Sequence, residues 1–191
     1  MPKKRIALVF VAAFSMAGIV GGGAAAVEQH APQRQESQQR DDVIVLREPY
    51  HLYNGSSNLF MLAKSWNNDE NGLIDLWYEH KTGSDALREQ WEFRATSEEG
   101  VARIKNVGSG LCLQPNPNKL DPHKHVVQKE CDRGEREQWW NITWDRGLRI
   151  SSFNNDNRVL APYNGPQASH NIVLARESGG TAQRWRAVMV D

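Results

Sequence analysis

Short apolar runs separated by Gly-, Asn- and Ser-rich turns recur three times between residues 46 and 191. Such a pattern predicts β-hairpins, because strands are brief and the turn residues reverse the chain between them. In the first unit Leu52-Tyr53 leads through Asn54-Gly55-Ser56-Ser57 into Leu59-Phe60-Met61-Leu62. In the second, Arg103-Ile104-Lys105-Asn106 leads through Val107-Gly108-Ser109-Gly110 into Leu111-Cys112-Leu113. In the third, Arg149-Ile150-Ser151-Ser152 leads through Asn154-Asn155-Asp156-Asn157 into Val159-Leu160. An aromatic signature follows each hairpin: Glu89-Gln90-Trp91, Gln138-Trp139-Trp140 and Gln183-Arg184-Trp185. The closing tryptophans are 49 and then 45 residues apart, a period that marks repeats unable to bury a core singly. The expectation is an all-β fold of three pseudo-repeats with Trp91, Trp140 and Trp185 in its core. Facing alternates along a strand, so Trp139 should point away from the core that Trp140 enters, and its loss should cost little.

The pattern is different ahead of residue 46. Lys3-Lys4-Arg5 precedes an apolar run over residues 6–20, and Ala24-Ala25-Ala26 offers a small-x-small cleavage site. That is the layout of a secretory signal over residues 1–26, and it predicts export. The run dissolves into Gly21-Gly22-Gly23 and is too short for a membrane anchor, so the mature chain should carry no transmembrane segment. Residues 27–45 are polar with little to bury and read as a flexible linker. A plain spacer is favoured over an arm that orders against a partner.

Charge narrows the picture only by exclusion. Twenty-three basic residues balance twenty-three acidic ones in 191 residues, leaving no global field to draw in nucleic acid. Residues 119–129 hold a local cluster, interrupted by Asp121 and Val126-Val127, which reads as a solvated strand and loop. Carboxylates such as Glu98-Glu99, Asp69-Glu70 and those of residues 135–137 lie in polar turn-like stretches where solvation accounts for them. No nucleophile elbow, phosphate-cradling loop or zinc-protease helix is present, so the expectation is a non-enzymatic protein without a cofactor.

The three spaced signatures with their hairpins resemble the ricin-B type lectin repeat. The resemblance implies a β-trefoil over residues 46–191, in which Gln138, Gln183 and the three tryptophans hold the lobes together. It also implies a disulfide between Cys112 and Cys131, which lie nineteen residues apart in the second repeat; two buried free thiols are the alternative. With Cys131 so engaged, His123 and His125 lack the partners of a zinc site and read as a solvent-facing strand, so no metal is expected. Ricin-type sugar sites use an aspartate two positions past the first cysteine, an aromatic platform before the second, and an asparagine ahead of Gln-x-Trp. The aspartate position here carries Ala63, Gln114 and Ala161, and the asparagine position Arg88, Glu137 and Ala182. Only the first repeat keeps a platform, at Trp77 and Tyr78, against Lys129 and Ala175 in the others. Without the acid, charge-assisted hydrogen bonds of roughly 1.5 to 3 kcal/mol each are missing, and galactose-type binding should be weak. Candidate ligand-binding residues are Asp75, Trp77 and Tyr78 first, then Gln114, Trp139, Tyr163 and Asn164. Beyond the repeat tryptophans, Trp66, Trp77, Trp139 and Trp144 are left to cap the barrel or to form an interface.

Within that family, Ile104-Lys105-Asn106-Val107 followed by Cys112-Leu113-Gln114 is similar to the cell-binding A and C subunits of cytolethal distending toxins. The export signal, polar arm and tryptophan content match; the lipid-attachment cysteine of some such subunits is missing. Two function classes follow as expectations. One is a secreted lectin-like module binding glycan or a glycosylated surface through degenerate pockets. The other is the cell-binding or assembly subunit of a toxin or enzyme complex, contacting a catalytic partner. An accessory domain of a hydrolase released as a separate chain is a third.

Overall fold

The computed structural model describes residues 4, 5, 8, 9, 44–64, 70–80, 83–118, 121 and 123–190. Twelve strands arise as four per repeat. Lobe 1 contains β1 (Pro49–Asn54), β2 (Phe60–Ala63), β3 (Ile74–Trp77) and β4 (Gln90–Ala95). Lobe 2 contains β5 (Val101–Asn106), β6 (Cys112–Pro115), β7 (Val126–Lys129) and β8 (Trp140–Trp144). Lobe 3 contains β9 (Leu148–Ser152), β10 (Asn155–Pro162), β11 (Ile172–Arg176) and β12 (Trp185–Met189).

The first and last strands of each lobe form a closed barrel of six. The ring runs β1 to β4, β5, β8, β9 and β12, and β12 returns to β1 in the register Trp185↔Asn54 through Met189↔Tyr50. The middle pairs β2–β3, β6–β7 and β10–β11 are hairpins. They meet in a cap through the single bridges Leu73↔Val127, Asp75↔Asn171 and His125↔Val173. This is a β-trefoil.

Alternation explains why these segments are strands. Along β1 the residues Tyr50, Leu52 and Asn54 are buried and their neighbours are not; along β4 Trp91 and Phe93 are buried between half-exposed Gln90, Glu92 and Arg94. The inward set joins Ile104, Ile142, Leu148 and Ile150 in one core. Trp91, Trp140 and Trp185 are all but fully buried. A buried indole N–H needs an acceptor, and each finds the equivalent one: the carbonyls of Met61, Leu113 and Leu160, at 2.8, 3.2 and 3.2 Å. Trp144 packs half-buried against the core; Trp66 lies outside the described residues.

The lobes are also stitched in a cycle. The amide after the first strand of each lobe donates to the middle residue of the preceding lobe's signature: Gly55 to Arg184, Val107 to Gln90 and Phe153 to Trp139, at 2.7, 2.9 and 3.0 Å. At Gly55 the approach is so close that a Cβ would sit 2.8 Å from the Arg184 carbonyl oxygen.

Three sequence expectations change. The core reaches back past residue 46 to Ile44, which is 2% exposed. Residues 126–128 are not solvated: Val126, Val127 and Gln128 are buried, because β7 is the inner strand of its cap hairpin. The third turn is shorter than the run of Asn154-Asn155-Asp156-Asn157 suggests, since β10 already begins at Asn155. A bulge there, with the register jumping from Ser151↔Val159 to Ser152↔Asn155, places Asp156 beside the buried Arg149. The proposed signal and linker lie outside the described residues, except that Lys4–Arg5 pairs with Trp144 and Thr143, and Leu8–Val9 with Ile44 and Val45. Among the described residues no helix is long and apolar enough to cross a membrane.

Candidate functional site

Each lobe holds one position where the cap hairpin, the loop after its third strand and the signature's first residue converge. In lobe 2 this residue is Gln138, 2% exposed. Its amide nitrogen donates to the Glu130 carbonyl at 2.7 Å and to Gln114 Oε1 at 3.2 Å, and its oxygen accepts from the Asp132 amide at 3.0 Å. Gln183 repeats this in lobe 3, donating to the Arg176 carbonyl at 2.8 Å and accepting from the Ser178 amide at 2.7 Å. An amide suits the place because it donates and accepts at once. Lobe 1 breaks the rule: Glu89 stands there, fully buried. Its Oε1 accepts from the His80 amide at 2.8 Å and contacts the His80 ring, but its Oε2 has no partner. Burial, partly countered by the His80 contacts, holds the Glu89 carboxyl above the usual carboxylate range.

Arg88 fills the pocket of lobe 1. Its guanidinium donates to the Ala63 carbonyl from Nε at 2.8 Å and from Nη2 at 2.6 Å, and to the Lys64 carbonyl at 2.7 Å. The residue that replaces the asparagine thus covers the position where the aspartate is missing. Asp75 is 3% exposed, its Oδ1 is unpartnered and its Oδ2 lies 3.7 Å from Lys64 Nζ. Burial, offset by Lys64 and Arg88, raises its pKa to about 6. Trp77 and Tyr78 do sit together, edge to face with ring centroids 6.0 Å apart, and Tyr78 is 66% exposed. The structure therefore keeps the aromatic pair accessible and withdraws the acid.

Lobe 2 keeps an open cavity of about 600 Å³, lined by Gln114, Gln138, Lys129, Glu130, Asp132 and Glu70 among others. The Cys112–Cys131 disulfide is formed, with the Cα atoms 5.0 Å apart, and it fixes the loop that forms one wall. Lys129, at the platform position, is tied to Glu70 of lobe 1 at 2.9 Å, and Glu70 also accepts the Glu130 amide at 3.1 Å. These contacts with Lys129 and Glu130 hold Glu70 below the usual carboxylate range. Gln114 stands where the ricin-type aspartate is expected, and its Oε1 accepts a hydrogen bond from the Gln138 amide.

In lobe 3 the corresponding positions carry the small residues Ala161, Ala175 and Ala182. The polar groups lie to one side, in a buried network. Arg149, 0% exposed, forks onto Glu177 at 2.9 and 2.8 Å and reaches Asp156 at 2.8 Å. Arg184 joins Glu177 at 3.2 Å to Asp145 at 2.5 Å. Tyr163 and Asn164 open the neighbouring turn, Asn164 with a positive φ of 59°. Tyr163 leans on His123, with centroids 4.4 Å apart and its hydroxyl 3.2 Å from Nε2.

His123 and His125 belong to a turn organised by Asp121, which the sequence did not single out. The Asp121 carboxylate accepts the amides of His123 and His125 at 3.0 and 2.7 Å, and the His125 ring at 2.9 Å. Burial pushes its pKa up, but those bonds outweigh it and keep the group low. His125 is thus held in a half-buried pair rather than on a solvated strand. Among the described residues no group of three or more His, Cys, Asp or Glu side chains is placed to hold a metal ion.

Trp139 does turn away from the barrel core, but it is only 7% exposed. It follows a short 3-10 turn rather than sitting in a strand, packs on Phe153 at 5.3 Å and lies under Arg136. Sequence reasoning named Arg88 and Glu70 but missed what they bind, and it missed the Arg149–Glu177–Arg184 network altogether; all of these contacts depend on partners distant in the chain. The one local signal was Glu89, a carboxylate where the other two signatures have an amide.

Residues 100–189 match the family model described as the ricin-type beta-trefoil lectin domain. No curated protein matches the chain in sequence. Among solved structures, the Rhizoctonia solani agglutinin superposes with a TM-score of 0.64 at 17% identity, over 75% of this chain and 95% of that one. The C-half of the earthworm R-type lectin, solved in complex with GalNAc, gives 0.58 at 15% identity, over 75% and 99% of the two chains. A mosquitocidal holotoxin gives 0.66 at 15% identity, covering 77% of this chain and 18% of that one. At these identities the likeness to solved structures is one of fold.

Proposed function

We propose that this chain is an exported, non-catalytic carbohydrate-recognition module whose working lobe pocket is that of lobe 2. The observation that carries the reading is the open cavity between Gln114 and Gln138, at the place where Arg88 fills lobe 1 and three alanines empty lobe 3. Lobe folds of this kind are built around the signature glutamine, so its presence supports the scaffold; it is Gln114, largely buried but lining the cavity wall, that supports binding. Among the described residues polar groups dominate the cavity lining and no aromatic ring is part of it, so affinity for a single sugar should be modest. The family match over residues 100–189 supports the same reading, because it spans all of this pocket except Glu70.

A glycan array on the mature protein tests it, repeated with Gln114→Ala, Trp77→Ala and Tyr163→Ala. Signal lost with Gln114→Ala alone is the expected result. Loss confined to Trp77→Ala would move the site to the aromatic pair of lobe 1, and loss confined to Tyr163→Ala to lobe 3.

The second reading is a cell-binding or assembly subunit of a multi-subunit toxin, as the likeness to cytolethal distending toxin A and C subunits implies. Among the described residues the large exposed hydrophobics are Tyr78 and Leu87, 66% and 43% exposed and both in lobe 1, which favours a protein contact there. Binding to no glycan on the array, together with loss of a co-secreted partner on Tyr78→Ser, would favour it.

A further inference from the structure

Away from the lobe pockets, a cavity of about 440 Å³ opens beside the turn joining lobe 1 to lobe 2. Arg47, Arg94, Arg103 and Arg133 line it, together with Thr96 and Trp139. Its volume is within the roughly 300 to 1,000 Å³ of small-molecule sites.

The charge here is assembled against its own repulsion. Arg94 and Arg103 are direct cross-strand partners on β4 and β5, a placement in which like charges destabilise a sheet. Arg103 is half-buried, and burial, then Arg133 and Arg94, pull its pKa below the ordinary arginine value against the opposing pull of Asp132. Among the described residues Glu92 pairs with Arg94, whereas Arg103 and Arg133 form no ion pair. Hydrogen-bonding capacity is unspent as well. The Nε of Arg94 and the indole N–H of Trp139 are buried without a partner, and Trp139 is more than nine-tenths buried.

The chain as a whole is neutral, so this concentration is local. Guanidinium forks match the two oxygens of a carboxylate or sulfate, and an anion seated among them would relieve the repulsion. We propose that this cavity is a second ligand site, distinct from the lobe pockets, that takes a saccharide bearing a carboxylate or sulfate group. The saccharide part rests on the carbohydrate reading above; the anionic part rests on the arginines alone.

The test is calorimetric titration of the mature protein with 3′-sialyllactose, lactose 3′-sulfate, lactose and sodium sulfate, in low and high salt. Both acidic sugars should bind about ten-fold or more tighter than lactose, the worth of one charge-assisted hydrogen bond. The advantage should shrink at high salt, fall about ten-fold in Arg103→Gln and in the exposed-site variant Arg133→Gln, and survive Gln114→Ala. Arg103→Gln should also melt higher than the parent without ligand, because it removes the cross-strand repulsion. Acidic sugars binding no tighter than lactose, or binding Arg133→Gln as well as the parent, would overturn the proposal. Binding of sodium sulfate without either acidic sugar would overturn the saccharide assignment. Neutral-glycan binding lost only in Gln114→Ala would leave the lobe 2 reading standing whatever happens here, so the two failures are distinguishable.

Discussion

Glu89 shows how much one atom changes a conserved-looking slot within a repeat. Gln138 and Gln183 each donate to one carbonyl and accept one amide. Glu89 accepts the amide of His80 but leaves Oε2 buried and unpartnered. Its folded pKa is raised, so the stability it contributes is complete below the ordinary carboxylate range and is lost as pH rises through the folded value. Glu89→Gln should therefore stabilise the protein at pH 8 by about 1 to 2 kcal/mol, the cost of an unsatisfied buried group, with the gain fading towards pH 4. Urea melts at both pH values decide it; a variant less stable than the parent at pH 8 would mean that the His80 contact outweighs the orphaned oxygen. Asp75 follows the same sign. Its pKa is raised from 3.8 to about 6, so its contribution is intact below pH 3.8 and declines through pH 6. A two-unit shift corresponds to about 3 kcal/mol at most, so Asp75→Asn should gain up to that at pH 7.5 and nothing measurable at pH 3.5. A gain equal at the two pH values would locate the effect elsewhere.

Elements were legible to the extent that their signals are local. The alternation of Tyr50, Leu52 and Asn54, the turn residues after them and the tryptophan spacing all lie within a few residues of the strands they specify. The barrel and its hairpins follow from them. What escaped the sequence lies in pairings across the chain: Arg88 with Ala63, Lys129 with Glu70 and Arg149 with Glu177 are 25, 59 and 28 residues apart. Nothing local distinguishes a guanidinium that plugs a pocket from one that faces water. Trp139 shows the intermediate case. Its direction followed from Trp140, but its burial depends on Phe153, across the turn of the next lobe. Trp140→Ala and Trp185→Ala should each cost about 3 to 5 kcal/mol, as large-to-small changes in a packed core. Trp139→Ala should cost less, about 1 to 3 kcal/mol, because the ring is buried outside that core and its N–H has no bond to lose. Chemical melts of the three variants rank them, and a Trp139→Ala loss matching that of Trp140→Ala would show the two rings to be equally integral to the core.

At the scale of the molecule, three lobes behave as one unit because none closes a surface alone. Each contributes two strands to a six-stranded ring, and the ring closes only when β12, at the end of the chain, pairs with β1 near the start of the fold. The cyclic bonds from Gly55, Val107 and Phe153 run from each lobe to the one before it, and the cap joins all three hairpins. Removing one lobe would thus expose two barrel edges. Unfolding should accordingly be a single transition, with far-ultraviolet circular dichroism and tryptophan fluorescence coinciding in urea. Late pairing of the first and last strands is a long-range closure of the kind that slows folding, so refolding should be slow relative to a helical protein of this size. Gly55→Ala probes the closure directly, since a Cβ there would press on the Arg184 and Thr181 carbonyl oxygens at 2.8 and 2.9 Å. Those oxygens belong to lobe 3 while Gly55 belongs to lobe 1, so the substitution should lower the stability of the whole protein, by about 1 to 3 kcal/mol for such overpacking, and keep both probes coincident. Two separated transitions in that variant, with fluorescence and dichroism parting company, would show that lobe 1 can detach and that the ring is not the cooperative unit.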